Sequence, residues 1–232
     1  MPRVKALNRN GEITWCTAKT PGSGNCNHVF YKTKEMTDKQ FQERVDRYNE
    51  GMMELLNSKS FADRMLCAKT GYGLDRLVHD EDFDIRGEVA KHGFGLDILK
   101  NDKNFYVRQM VARQGYALDE LINDENPFVR QEVAKQGYGL DILINDEYGV
   151  VREAVAGQGY GLDILIHDKD DDVREEVARQ GYGHDILFKD KNVNVRAEVA
   201  RQGHYCDVLI NDENAWVAYQ AETALEESKN KQ

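Results

Sequence analysis

The chain has 232 residues, 31% of them charged and 41% hydrophobic, with a formal net charge of −10. So acidic a chain is poorly suited to general phosphate-backbone binding, which rests on cation-driven counterion release, and no stretch approaches the ~18 to 20 apolar residues of a membrane-spanning helix. The start, MPRVKALNRN, does not read as a secretory signal, so the chain is expected to work in a cytoplasm.

Residues 1–36 differ in kind from everything after them. Asn10-Gly11 and the run PGSGN are turn signals, and the β-prone stretches ITW and HVFY beside them predict a small hairpin or an irregular knob. Cys16, Cys26 and His28 supply three soft metal ligands, with Cys67 or another His as a fourth, so zinc is the one cofactor to consider. Their spacing lacks the two close ligand pairs of a zinc motif, and a free-thiol knob or a Cys16–Cys26 disulfide remains open beside it. An iron–sulfur centre needs four suitably placed cysteines. The chain has four in all, and Cys206 lies most of its length away from Cys16.

Residues 37–57 read as an amphipathic capping helix. Thr37 leads it and Gln40 follows three residues on, the spacing of a capping box.

From residue 58 to 222 one pattern takes over. Gly71, Gly93, Gly115, Gly137, Gly159, Gly181 and Gly203 recur every 22 residues, and a unit this short cannot bury its own apolar face, so neighbours must stack. Before each first helix stand Asp82, Asn104, Asn126, Tyr148, Asp170, Asn192 and Asn214, all but Tyr148 good acceptors for orphan amides. Pro127 suits a first helical position, and the periodic Gly suits a left-handed C-terminal residue. The first helix is therefore about ten residues long. Within it Ile85 and Val89, then Val107 and Val111, then Val129 and Val133, lie four apart on one face beside Ala90, Ala112 and Ala134. The segment YGLDILIND has room for one short α or 3₁₀ helix. The expected fold is an all-α, right-handed α-solenoid of about seven two-helix repeats, closed by residues 223–232 as a polar tail.

Two charged rows return without variation. Arg64, Arg86, Arg108, Arg130, Arg152, Arg174 and Arg196 keep one register, and Asp80, Asp102, Asp124, Asp146, Asp168, Asp190 and Asp212 another. Such regularity predicts pairs between neighbouring repeats or caps. A third row, Lys69, Lys91, Arg113, Lys135, Arg179 and Arg201, complements the macrodipole in the last helical turn or offers an anion-binding stripe. Residues 1–57 carry nine Lys/Arg against seven Asp/Glu, so the acidity belongs to the array. The repeats differ most just after the cap, where Phe83, Phe105, Tyr106, Phe128, Tyr148, Trp216 and Tyr219 fall; large aromatics on a rigid rim are typical binding anchors. The rival expectation is that Phe83, Phe105 and Phe128 pack between adjacent repeats.

The recurring VRxEVAxQG followed by LxxL and Asp resembles the leucine-rich-repeat-variant family and, more broadly, short HEAT-like repeats, over about residues 60 to 222. The resemblance implies a right-handed superhelix of longer and shorter helices with a binding or scaffold role. Gly-Tyr-Gly replaces the proline common between its helices, and the cysteine cluster that holds an iron–sulfur centre in one branch is not reproduced. HEAT-like arrays also include certain bilin lyases and DNA-alkylation glycosylases, but no residue here matches their sites. The expected function is that of a non-enzymatic scaffold, an adaptor or inhibitor, which binds a protein with a basic surface. The alternatives are nucleic-acid binding through the Lys/Arg row and a metal-containing repeat protein.

Overall fold

The computed structural model describes residues 4–8, 11–16 and 28–230. Helices dominate, and they stack in the manner of an all-α solenoid, as the 22-residue period predicts. The chain divides into two units, Met1–Gln114 and Gly115–Gln232. The division falls inside the periodic array and not at the change of composition near residue 58.

The first unit begins with a three-stranded antiparallel sheet of β1 (Val4–Asn8), β2 (Ile13–Cys16) and β3 (His28–Tyr31), in the order β2-β1-β3. The expected small hairpin forms between β1 and the ITW stretch, and the HVFY stretch adds to the other edge of β1. The Asn10-Gly11 turn signal does fall between β1 and β2, where Gly11 adopts φ +80° and its amide donates to the Asn8 carbonyl. Leu7 buries against Phe41 and Val45 of α1 (Asp38–Leu56), and Lys5 pairs with Asp38 at 2.9 Å. The capping box forms as expected: Thr37 Oγ1 accepts the Gln40 amide, and Gln40 Oε1 accepts the Thr37 amide.

The repeats follow as α2 (Phe61–Thr70), α3 (Leu74–Leu77), α4 (Phe83–Lys91), α5 (Leu96–Leu99) and α6 (Phe105–Arg113). Helix α1 packs on α2, α2 on α4, and α4 on α6. The second unit continues with α7 (Leu118–Leu121), α8 (Pro127–Lys135), α9 (Leu140–Leu143), α10 (Gly149–Gly157) and α11 (Leu162–Leu165). It ends with α12 (Asp171–Arg179), α13 (His184–Leu187), α14 (Val193–Arg201), α15 (Cys206–Leu209) and α16 (Ala215–Asn230). Its long helices α8, α10, α12, α14 and α16 pack each on the next. Between them Val129, Val133, Val155 and Val177 are fully buried, with Ala134, Ala156 and Ala178 allowing the close approach. Each buried valine contributes about 1.5 to 3 kcal/mol.

Local punctuation holds the period. The Asx caps work as read: the side chains of Asp82, Asn104, Asn126, Asp170, Asn192 and Asn214 each accept the amide two residues on, and Tyr148 makes no such bond. The second glycine of Gly-Tyr-Gly has a packing reason as well as a positive φ. A Cβ on Gly161 would lie 2.2 Å from Ile144 Cδ1 of the preceding turn, so the isoleucine tip would have to move; Ala117 and Tyr205 hold the same position in other repeats at φ +53°. At the far end the tail expected from residue 223 is helical to Asn230, since ALEESK contains no breaker and several strong helix formers.

Candidate functional site

The two invariant charged rows join the repeats. Arg152 shows the scheme: Nε donates to Asp168 Oδ2 at 2.6 Å and Nη2 to Oδ1 at 2.8 Å, while Nη1 donates to the carbonyls of Asp146 and Glu147. Asp168 in turn accepts the Asp170 amide at 2.8 Å, and its carbonyl accepts Arg174 Nη1 at 2.7 Å. Each arginine therefore pins the loop before its own helix to the loop after it. The same fork recurs at Arg64–Asp80, Arg86–Asp102, Arg130–Asp146, Arg174–Asp190 and Arg196–Asp212, all with both side chains nearly buried. Burial alone would raise the Asp168 carboxyl. The Arg152 hydrogen bonds, the Asp170 amide and the Arg152 charge outweigh it and hold the group below the usual carboxylate range. In α16 Ala218 takes the arginine's place.

The third row is matched differently. Lys91 lies 3.0 Å from Glu88, Lys135 3.3 Å from Glu132, and Arg201 2.6 Å from Glu198, each cation on the carboxylate three residues before it. Arg179 bonds both Glu175 and Glu176. As a phosphate-binding stripe the row has lost most of its field at these positions. The E-V-A-K/R spacing carries that pairing openly, but it is missed when the cations are read alone.

The predicted aromatics differ in exposure and in ring contacts. In the first unit Phe83 and Phe105 are exposed, while Tyr106 is half-buried over Gly87, edge-on to Phe83 at 6.3 Å and with Lys91 Nζ 5.8 Å from its centroid. Phe83 and Tyr106 thus meet across the step between α4 and α6. In the second unit Phe128 and Tyr148 are exposed, Tyr148 lying 5.6 Å from the Arg130 guanidinium. Trp216 and Tyr219 stack at 5.9 Å and leave 53% and 56% of their surface open.

Trp216 forms one wall of a cleft of about 330 Å³ between α12, α14 and α16, lined also by Glu175, Arg179, Glu198, Arg201 and Gln220. One repeat earlier α10 carries Glu153, whose carboxyl feels the charge of Arg179 on the cleft wall. Burial raises the Glu153 carboxyl, and Asp172 and Glu176 raise it further. Burial likewise raises Glu175; the Arg179 charge opposes the shift, while Glu198, Asp172 and Glu176 add to it. Carboxylates on this face exceed what Arg179 neutralises, the reverse of the balance in the Arg/Asp rows.

Of the metal candidates, Cys26 lies outside the described residues, as do the side chains of Cys16 and His28. Their backbone positions are not together: β1 pairs Val4 with Cys16 on one edge and Asn8 with His28 on the other. Four residues of strand are about 13 Å. Cys67, considered as a fourth ligand, is a core residue under α1, its thiol 3.7 Å from the Met52 carbonyl. Among the described residues no three His, Cys, Asp or Glu side chains gather as a metal site, and no helix is long and apolar enough to cross a membrane.

Compared with known proteins, the chain matches no family model and no curated protein.

Proposed function

We propose that the chain is a non-enzymatic repeat scaffold, of the kind implied by its likeness to short HEAT-like repeats, that binds a protein partner with a basic surface. The contact is centred on the Trp216 cleft in the second unit. The observation that carries this reading is the pairing of an open Trp216–Tyr219 stack with a group of carboxylates, of which Glu153 and Glu175 are raised first by burial and then, against the Arg179 charge, by acidic neighbours. Such crowding costs folding stability, and sites that store unfavourable interactions are where binding recovers them. A lysine or arginine entering the cleft relieves the repulsion and finds an aromatic face. Free thiols at the buried Cys67 and Cys206 suit a reducing cytoplasm.

Nucleic acid is the weaker reading because Lys91, Lys135, Arg179 and Arg201 already lie on glutamates. The test is capture from the host's own lysate with the wild-type chain and the Trp216→Ala/Tyr219→Ala variant as matched baits. A basic protein retained by the first and lost by the second, with both baits melting within about 2 °C of each other, supports the assignment. Identical captured sets remove this face from consideration.

A further inference from the structure

A second surface lies on the short helices of the same unit, and it is apolar where solvent should favour polar groups. Tyr138 and Tyr160 precede α9 and α11, and Ile142 and Ile164 sit within them; Tyr160 is 42% exposed and Ile164 60%. The pattern returns at Tyr182 and Ile186. The core does not require these side chains, because Leu143, Leu165 and Leu187 already fill the inward side of each short helix. Nor does local structure require them: an isoleucine on an exposed turn of helix has neither high propensity nor a packing partner to justify it. Single exposed apolar residues are ordinary, but a row repeated along a rigid array is the signature of a contact surface. Beside each isoleucine stands an exposed carboxylate, Asp141, Asp163 and Asp185 in turn.

The first unit shows what such a row accepts. Tyr72 occupies the same repeat position as Tyr160, yet it is only 8% exposed. The chain's own N-terminal region covers it. Tyr48 of the amphipathic α1 meets the Tyr72 ring edge-on at 6.2 Å, and the Gly11 turn lies so close that an added Cβ would stand 3.0 Å from that ring. Asn49 secures the cover by donating from Nδ2 to the Gly11 carbonyl. At this turn Arg76 replaces the isoleucine and bonds Asn57 Oδ1 beyond the end of α1. The row's tyrosine is therefore compatible with burial under an amphipathic helix.

We infer that the face made by Tyr138, Tyr160, Ile142 and Ile164 docks an amphipathic helical segment of another protein, its apolar side flanked by lysine or arginine. Charge decides between this occupant and a second copy of the chain. Two copies meeting through this face would set one aspartate row against another in a molecule whose net charge is already −10, whereas flanking cations pair with Asp141 and Asp163. The surface is separate from the Trp216 cleft, and the two readings stand or fall independently.

The test uses the full chain and three synthetic peptides, followed by fluorescence anisotropy. One peptide is an amphipathic helix with a leucine face and lysine flanks, the second has the same composition scrambled to destroy the face, and the third carries glutamate for lysine. The first is expected to bind at least about tenfold more tightly than either other, and Tyr160→Ser/Ile164→Ser to cost the same factor. Trp216→Ala is expected to leave this binding unchanged. The two substituted side chains are exposed, so the variant should melt with the wild type. Equal binding of the scrambled peptide would reduce the effect to charge alone. Failure of the first peptide to bind, or equal binding by the Tyr160/Ile164 variant, would overturn the assignment, as would a dimer of the chain that the same variant converts to monomer.

Discussion

Charge is handled in opposite ways at the loops between repeats and on the long-helix face around Trp216. At the loops each aspartate meets one arginine in a two-point fork, with a backbone amide filling the remaining acceptor capacity, as at Arg152, Asp168 and Asp170. On the long-helix face that runs to the Trp216 cleft, Glu153, Asp172, Glu175 and Glu176 share the neighbourhood of Arg179, while Glu198 is met by Arg201. The shifts follow suit, downward for Asp168 and upward for Glu153. Similar carboxylates are lowered in one place and raised in the other, and what distinguishes them is the balance of burial, hydrogen bonds and cations within reach.

The largest effect is expected from breaking a loop fork. Arg152→Ala leaves the buried Asp168 carboxylate without its partner and two loop carbonyls without a donor, for a loss of about 3 to 5 kcal/mol. Arg152→Lys keeps the charge but cannot span two oxygens and two carbonyls, and should lose about half as much. Urea unfolding of the wild type and both variants separates the cases. Losses under about 1 kcal/mol for Arg152→Ala would mean the pairs are incidental, as exposed ion pairs commonly are.

An intermediate effect comes from acid. Asp102, Asp146, Asp168, Asp190 and Asp212 are all held below the ordinary range, so the unfolded chain takes up protons first as pH falls. Their stabilisation is fully present above the unfolded value near pH ~4 and is lost as pH drops through the lower folded values. Unfolding midpoints measured from pH 5 downward should fall steeply below about pH 4, and the slope should be shallower in Arg152→Ala, where one of the five shifts is gone.

These rows were legible in the sequence because each contact has a fixed offset. An arginine and an aspartate 16 residues apart in every repeat, or a cap and its amide two apart, declare themselves by returning. Strand β1 was not legible: VKALN carries no turn signal, and its pairing depends on partners from two other segments. The Trp216 cleft was legible only as its residues, because α12, α14 and α16 make it across successive 22-residue periods. The isoleucine row was missed for a different reason. Arg76 and Glu120 interrupt its position, so no unbroken ladder marks it, and a four-residue helix such as LDIL has one inward face, which Leu165 takes and Ile164 does not. An apolar residue on each side of so short a helix was the available signal.

The smallest predicted effect tests the other half of the contrast. Glu153→Gln removes one charge from among Asp172 and Glu176 while keeping the side chain's shape, so it should stabilise the fold at pH 7 by up to about 0.5 kcal/mol. The sign follows from linkage. A carboxyl held above its ordinary value binds its proton more tightly in the folded state, so the wild type gains stability as pH falls from neutral through the Glu153 titration. The glutamine variant has no such gain, and the two should converge as pH falls through and below the ordinary glutamate value of ~4.3, with most of the difference gone by about pH 4. Thermal midpoints at pH 7 and at pH 4 measure this difference directly. A glutamine variant less stable than wild type at neutral pH would show that Glu153 is held by attraction. The long-helix face would then resemble the arginine forks, and the unsatisfied acidic field that favours a basic partner would be gone.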